Sequence, residues 1–232
     1  MKPLPSAVFA SVFLCLAGAV RADLAPLLDR VAAAYGGGAT PTALLEKGTT
    51  TSLRRGTGPV ERLWARGGGD GDRFRIVIDY PSGTEKRALS GARAWQQDRP
   101  ATAAFRGAVV LQAARMALPW RLRDAGAVLS DQGTVPGPDG RARRVVGWSL
   151  EPGIALTAEI DPDSGRILRS VGRLGEGDAR MEFATEYYEF MPGAPYGFAA
   201  RERHFAMGQY IGETRLTEVT VPPSADDRSF GP

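Results

Sequence analysis

Hydrophobic and polar residues alternate with the two-residue period of β-strands along most of the chain. In residues 73–80, Phe74, Ile76 and Ile78 alternate with arginine, valine and aspartate, so one face of this segment is apolar and the other is largely charged. Similar segments precede and follow it, and short turn sequences rich in glycine and proline separate them. Because short links of this kind join antiparallel neighbours, the pattern predicts an antiparallel sheet.

Two segments follow the helical period instead. Apolar residues three or four positions apart predict a helix from Asp23 to Tyr35, which Gly36 and the next two glycines end. An alanine-rich segment, Ala101–Leu118, predicts a second helix, with Pro119 as its end and a connector after it. Nine to eleven strands with two helical insertions imply a mainly β fold, one large and strongly curved antiparallel sheet with helices on one face.

The first twenty-two residues have the layout of a secretory signal peptide. A short positive start is followed by an apolar run of about fourteen residues, Ala7–Val20, which is too short to span a bilayer. Ala22, a small residue, then precedes the polar Asp23. We therefore expect export of the protein, cleavage after Ala22, and a single domain in residues 23–232.

Composition narrows the chemistry of that domain. Cys15 is the only cysteine and lies in the predicted leader, so the rest of the chain has no disulfide, thiolate nucleophile or cysteine metal site. His204 is the only histidine, which excludes a two-histidine zinc site, and we expect no metal and no cofactor. The formal net charge of +3 falls to about +1 without Lys2 and Arg21, which argues against a nucleic-acid partner. No segment after the leader is apolar enough for an integral membrane protein.

Two further features have a simple structural interpretation beside a catalytic one. Three acidic residues lie among aromatic ones: Glu182, Glu186 and Glu189. A pair of these carboxylates would permit acid–base hydrolysis. A strand with one solvent-exposed face explains them as well. The glycine-rich residues 67–71 join two strands and precede no helix, so they predict a flexible hairpin, not a phosphate-binding loop. A hydrolase that uses carboxylates is therefore the third hypothesis.

The large apolar residues suggest a pocket. Trp64 and Trp95 fall in predicted strands and Trp120 follows the second helix, where they either fill a core or line a cavity. Large apolar residues on a concave sheet face, covered by small-residue helices, would leave a cavity suited to a lipid-like ligand, with arginines at its rim for a phosphate or carboxylate head group. The candidate ligand-binding residues are Trp64, Phe74, Ile76, Ile78, Trp95, Met116, Leu118 and Trp120.

The segment Asp161-Pro162-Asp163-Ser164-Gly165 lies between two predicted strands. It resembles the D-P-x-T/S-G turn of periplasmic carriers in the superfamily of the lipoprotein carriers LolA and LolB. Other similar motifs follow in the same order and span most of residues 23–232: Tyr35-Gly36-Gly37, Asp79-Tyr80-Pro81, Gly91 with Trp95, Leu118-Pro119 and the tail Val219–Phe230.

This resemblance implies an unclosed antiparallel β-barrel whose concave face is covered by helices that act as a lid. It also implies a periplasmic protein that binds lipid or lipoprotein acyl chains without catalysis, and this is the leading hypothesis. The alternative is an envelope sensor or assembly module on the same fold, which binds a protein partner through a sheet edge. A continuous apolar cavity would favour the carrier, and a packed, dry core would favour the interaction module.

Overall fold

The structure is a computed structural model, and it describes residues 23–37, 40–67, 71–124, 128–192, 196–222, 225 and 227–231. The predicted leader, residues 1–22, lies outside the described residues, so its cleavage stays a prediction. Helix α1, residues 23–34, ends in a turn at Tyr35 and Gly36, as predicted. Gly36 and Gly37 have φ angles of 113° and 64°, the positive values with which helices commonly end at glycine.

Within the described residues, thirteen strands and helix α2 follow α1. The elements are β1 Ala43–Ser52, β2 Gly56–Ala65, β3 Arg73–Tyr80, β4 Gly83–Ser90, β5 Arg93–Gln96, β6 Arg99–Pro100, α2 Ala103–Arg121, β7 Val128–Pro136, β8 Ala142–Glu151, β9 Ile154–Ile160, β10 Ile167–Leu174, β11 Met181–Met191, β12 Phe198–Ala206 and β13 Gln209–Thr220. The predicted nine to eleven strands were too few. One reason is that β6 has only two residues, over which no period is detectable.

The strands form one antiparallel sheet in the order β6-β5-β4-β3-β2-β1-β13-β12-β11-β10-β9-β8-β7. Among the described residues β6 and β7 do not pair, so the sheet is unclosed. Helix α2 contacts both β4 and β9, which are eight places apart in this order. In a flat sheet these strands would lie about 38 Å apart, whereas a helix is only about 10–12 Å wide. The sheet therefore curves around α2, which confirms the predicted fold class.

Helix α2 extends two residues past Pro119, so the prediction that this proline ends the helix was wrong. In the last turn a proline removes only one backbone donor, the one that would bond to the carbonyl of Arg115. The N–H of Leu122 donates to the carbonyl of Leu118 at 3.3 Å and completes the turn around the proline. Among the described residues, no helix is both long and apolar enough to cross a bilayer.

The main apolar core lies between the concave face of the sheet and the two helices. Trp64, Phe74 and Leu118 are at most 1% exposed and belong to it. Because neighbouring strand residues point to opposite faces, Leu63 packs instead with Phe230 in a small second cluster.

The Asp-Pro-Asp-Ser-Gly turn lies between β9 and β10. The carboxylate of Asp161 accepts hydrogen bonds from the N–H of Asp163 at 3.0 Å and from the hydroxyl of Ser164 at 2.7 Å. Gly165 closes the turn with a φ of 71°. A Cβ at Gly165 would collide with the backbone carbonyl of Arg30 in α1, so the glycine allows the helix to pack directly on the turn.

Replacing Gly165 with alanine is expected to lower the free energy of unfolding by clearly more than the ~1 kcal/mol that a positive φ alone costs a non-glycine residue. The excess arises because α1 must move to admit the methyl group. Gly140→Ala is the matched control, since Gly140 has a φ of 75° and nothing lies within 4 Å of an added Cβ. Denaturant unfolding of both variants checks this, and equal losses would contradict the close approach of α1.

Candidate functional site

A cavity of about 400 Å³ lies between the concave face of the sheet and helix α2. Its volume falls within the range of about 300–1,000 Å³ that is typical of pockets for small ligands. Its walls come from β1–β4, β10–β13, α2 and the end of α1. One end, which we call the mouth, is lined by the partly exposed residues Thr51, Arg55 and Ile211 beside the turn between β1 and β2.

Six of the eight predicted ligand-binding residues line this cavity, and they form what we call the apolar wall: Phe74, Ile76, Ile78, Met116, Leu118 and Trp120. The first three are alternate residues of β3, which places them together on the concave face. The other three belong to the last two turns of α2, which covers that face. The structure thus brings the two predicted groups together across one cavity.

Trp64 and Trp95, the other two predicted residues, are not part of the cavity lining. Trp64 is fully buried in the core, and its indole N–H donates to the Oδ2 of Asp72 at 3.2 Å. Trp95 is half-buried on β5 near the edge of the sheet, with the guanidinium of Arg93 5.7 Å from its ring centroid. Both side chains stabilise the fold at positions away from the cavity.

Trp120 anchors an aromatic cluster beside the cavity. It lies in the last turn of α2 and not in the connector that the sequence predicted. Its ring meets Tyr35 at 6.3 Å and Tyr196 at 5.2 Å between centroids, both edge to face. The hydroxyl of Tyr35 accepts a hydrogen bond from the N–H of Ile167 at 3.2 Å, so the cluster connects α1, α2 and the sheet.

A buried ion triad of Glu46, Arg62 and Glu202 forms part of a second, polar wall of the cavity. The register of β1 and β2 places Glu46 directly across from Arg62, and their Oε2 and Nε atoms are 2.9 Å apart. The Nη1 of Arg62 donates to the Oε2 of Glu202 on β12, also at 2.9 Å. All three side chains are at most 15% exposed.

The triad has more negative than positive charge when both carboxylates are ionised. Burial raises the pKa of Glu46, and the neighbouring Glu202 adds to this shift while Arg62 opposes it. The Nη2 of Arg62 is buried and has no hydrogen-bond partner among the described residues. Arg62 is therefore the cation that keeps two buried carboxylates compatible with the folded state.

His204 extends the polar wall across neighbouring strands. Its Nε2 lies 2.9 Å from the hydroxyl of Thr214 and its Nδ1 lies 3.3 Å from that of Thr185. The imidazole borders the cavity, and 28% of the side chain is exposed. Burial lowers the pKa of His204 to about 4, so the imidazole is neutral at physiological pH.

The polar wall was missed by sequence analysis, although a signal for it exists. Strand alternation places Arg62 on the same face as Val60 and Trp64, but arginine is normally exposed and was not considered for the interior. The acidic residues considered for hydrolysis, Glu182 and Glu186 among them, do not line the cavity.

Arg115 approaches the polar wall from α2. Its Nε donates to the hydroxyl of Ser170 at 3.2 Å, and its Nη2 donates to the carbonyl of Phe183 at 2.5 Å. The same Ser170 hydroxyl lies 2.8 Å from the hydroxyl of Tyr187. Burial lowers the pKa of Arg115 and raises that of Tyr187 to about 12, so the Tyr187 hydroxyl keeps its proton at neutral pH.

The mouth carries a second, more exposed group of charges. Arg55 and Arg87 both form ion pairs with Glu85, and the guanidinium of Arg55 lies 4.8 Å from the ring centroid of Tyr80. Two arginines share one carboxylate there, so the mouth is positive. The predicted arginines at the rim are thus present, but the cavity also has arginines in its interior.

No family model and no curated protein matches this sequence. Solved structures do match. The structure of a LolA superfamily protein from Nitrosomonas europaea has a TM-score of 0.58 and 9% identity, covering 89% of this chain and 96% of its own. The structure of a DUF1329 family protein from Desulfovibrio piger has a TM-score of 0.53 and 11% identity, covering 91% of this chain and 96% of its own. A third structure is that of a Vibrio parahaemolyticus domain whose name assigns it to outer membrane lipoprotein sorting. It has a TM-score of 0.53 and 12% identity, covering 89% of this chain and 95% of its own. At these identities the similarity concerns the fold alone, and the chain has the fold of the LolA superfamily, as its sequence motifs predicted.

Proposed function

We propose that the protein is a periplasmic, non-catalytic carrier of a hydrophobic ligand, either a lipid or the acyl chains of a lipoprotein. The observation that carries this proposal is the cavity between the sheet and α2, with the apolar wall on one side. Each acyl methylene buried there contributes roughly 0.8 kcal/mol to binding. The carrier needs no chemical step, metal or cofactor for this task.

The leader and the fold support this proposal. An N-terminal segment with the layout of a signal peptide would deliver residues 23–232 to the periplasm as one binding domain. One structural neighbour is named for outer membrane lipoprotein sorting, a process that requires shielding of acyl chains from water.

Filling the cavity tests the proposal. Ala108 lines the cavity from α2, whereas Ala104, one turn earlier, is exposed. Ala108→Phe is expected to weaken the binding of a fluorescent fatty acid at least about tenfold, because the ring occupies the space of the chain. Ala104→Phe should leave the affinity unchanged. Fluorescence titration of both variants, with displacement by dodecanol as a check for specific binding, gives the answer.

A folded wild-type protein that shows no saturable binding would contradict the carrier. That result would favour the alternative, an envelope module that binds a protein partner through a sheet edge. Strand β7 ends the sheet, and its Val128 is 67% exposed, so this edge would be the first place to test.

A further inference from the structure

Arg115 has an unusual environment for a buried arginine. Of the three arginines in α2, it alone lines the cavity. Its bonds to Ser170 and Phe183 use the Nε and Nη2 atoms and hold the guanidinium in place. Among the described residues, its Nη1 has no hydrogen-bond partner, and no carboxylate lies within ion-pair distance of the side chain. The Nη1 side of the guanidinium therefore has N–H donors without partners among those residues, and we call this side the unused edge.

An unpaired cation in such a site is costly, because the surrounding protein replaces water poorly. Burial lowers the pKa of Arg115 for the same reason. Arg62, another arginine inside the cavity, contacts two carboxylates. Gln112, one turn before Arg115 on the same face of α2, has a buried side-chain oxygen without a hydrogen-bond partner among the described residues. Polar groups without partners therefore cluster at this part of the cavity.

We infer that the cavity takes an amphiphile with an anionic head group, a carboxylate or a phosphate, which binds the unused edge of Arg115 while the chain lies along the apolar wall. The planar guanidinium suits such groups, because two N–H donors can meet two oxygens at once. This inference rests on the proposed function and specifies the class of its ligand.

The other charges that face the cavity are compatible with this ligand. Glu46 and Glu202 are both bonded to Arg62, and His204 is neutral. Glu202 acts on Arg115 only through space and does not occupy its donors. The negative charge of the ligand would be offset by the positive charge of Arg115 itself.

The mouth is the competing position for a head group. There Arg55 and Arg87 already share the carboxylate of Glu85, and the side chain of Arg55 is 38% exposed. Charge pairs in contact with water contribute little, whereas a guanidinium that faces the cavity without a carboxylate partner gains a charge-assisted hydrogen bond. The geometry therefore favours Arg115 over the mouth.

The test compares ligands that share one chain. Dodecanoic acid, dodecyl phosphate and dodecanol are each used to displace a fluorescent fatty acid from the wild-type protein at neutral pH. The affinity for both anions is expected to be at least about tenfold higher than that for the alcohol, because one charge-assisted hydrogen bond corresponds to a change of this size. Arg115→Met should abolish this preference, so that the acid, the phosphate and the alcohol displace the probe with similar affinities. Arg55→Met, the matched control, should retain the preference.

The outcomes separate the inference from the proposed function. Equal binding of acid, phosphate and alcohol by the wild-type protein would overturn the inference and leave the carrier standing. Loss of the preference in Arg55→Met with its retention in Arg115→Met would place the head group at the mouth and also overturn it. Absence of binding by all three ligands would overturn both proposals. Where Arg115→Met fails to fold, the wild-type comparison still tests the preference for anions, and loss of that preference in Arg55→Met would still overturn the inference.

Discussion

Arg62→Met is expected to lower the free energy of unfolding by about 3–5 kcal/mol at neutral pH, the usual cost of removing one partner from a buried ion pair. The change leaves Glu46 and Glu202 buried without their cation. Methionine keeps most of the volume of the side chain, so loss of packing contributes little. Denaturant unfolding of the variant and the wild type measures the difference.

The pH dependence of this loss identifies its cause. Without Arg62 the folded-state pKa of Glu46, which burial already raises above the ordinary value of 4.5, rises further, so the folded state binds more protons than the unfolded chain. The loss of stability is then largest at neutral pH and shrinks as pH falls toward 4.5. Arg75→Met is the control, because Arg75 pairs with the partly exposed Glu61 and should cost less than about 1 kcal/mol. A loss independent of pH would contradict the role assigned to the triad.

Trp120→Ala is expected to weaken the binding of dodecanol about tenfold, or ~1.4 kcal/mol. The indole borders the cavity, so its removal takes away apolar surface that the ligand would cover. The variant should lose no more than about 2 kcal/mol of folding stability, chiefly from the ring contacts with Tyr35 and Tyr196. The truncation enlarges an existing cavity and creates no new one. Ligand titration and denaturant unfolding of the same preparation measure both effects.

Trp64→Ala is the matched control for this pair of measurements. Trp64 is fully buried away from the cavity, so its truncation should cost about 3–5 kcal/mol of stability and leave the affinity of the folded protein unchanged. Severe destabilisation by Trp120→Ala, without a change in affinity, would mean that Trp120 is ordinary core.

The fold was largely predictable because its determinants are local. Alternation in β3 identified Phe74, Ile76 and Ile78 as one face, and glycine and proline marked the turns between strands. The exact end of α2 was not predictable. Proline breaks helices in general, but Pro119 is tolerated because in the last turn it removes only one backbone hydrogen-bond donor.

The site was predictable only in its apolar half. A strand period shows that Trp64 and Phe74 face the same side, but which of them borders a void depends on the packing of α2 from a distant part of the sequence. The polar half depends on contacts between residues more than a hundred positions apart, as in Arg62 with Glu202. Period and composition contain no information about such pairs.

Native mass spectrometry of the protein purified gently from cells that produce the full sequence tests the central claim most directly. The carrier account predicts a population heavier than the bare polypeptide, whose extra mass is released on activation as an amphiphile with an acyl chain. Exposure to dodecanoic acid should restore the heavier species after delipidation. A protein that carries only its polypeptide mass in both experiments, while remaining folded, would contradict the account.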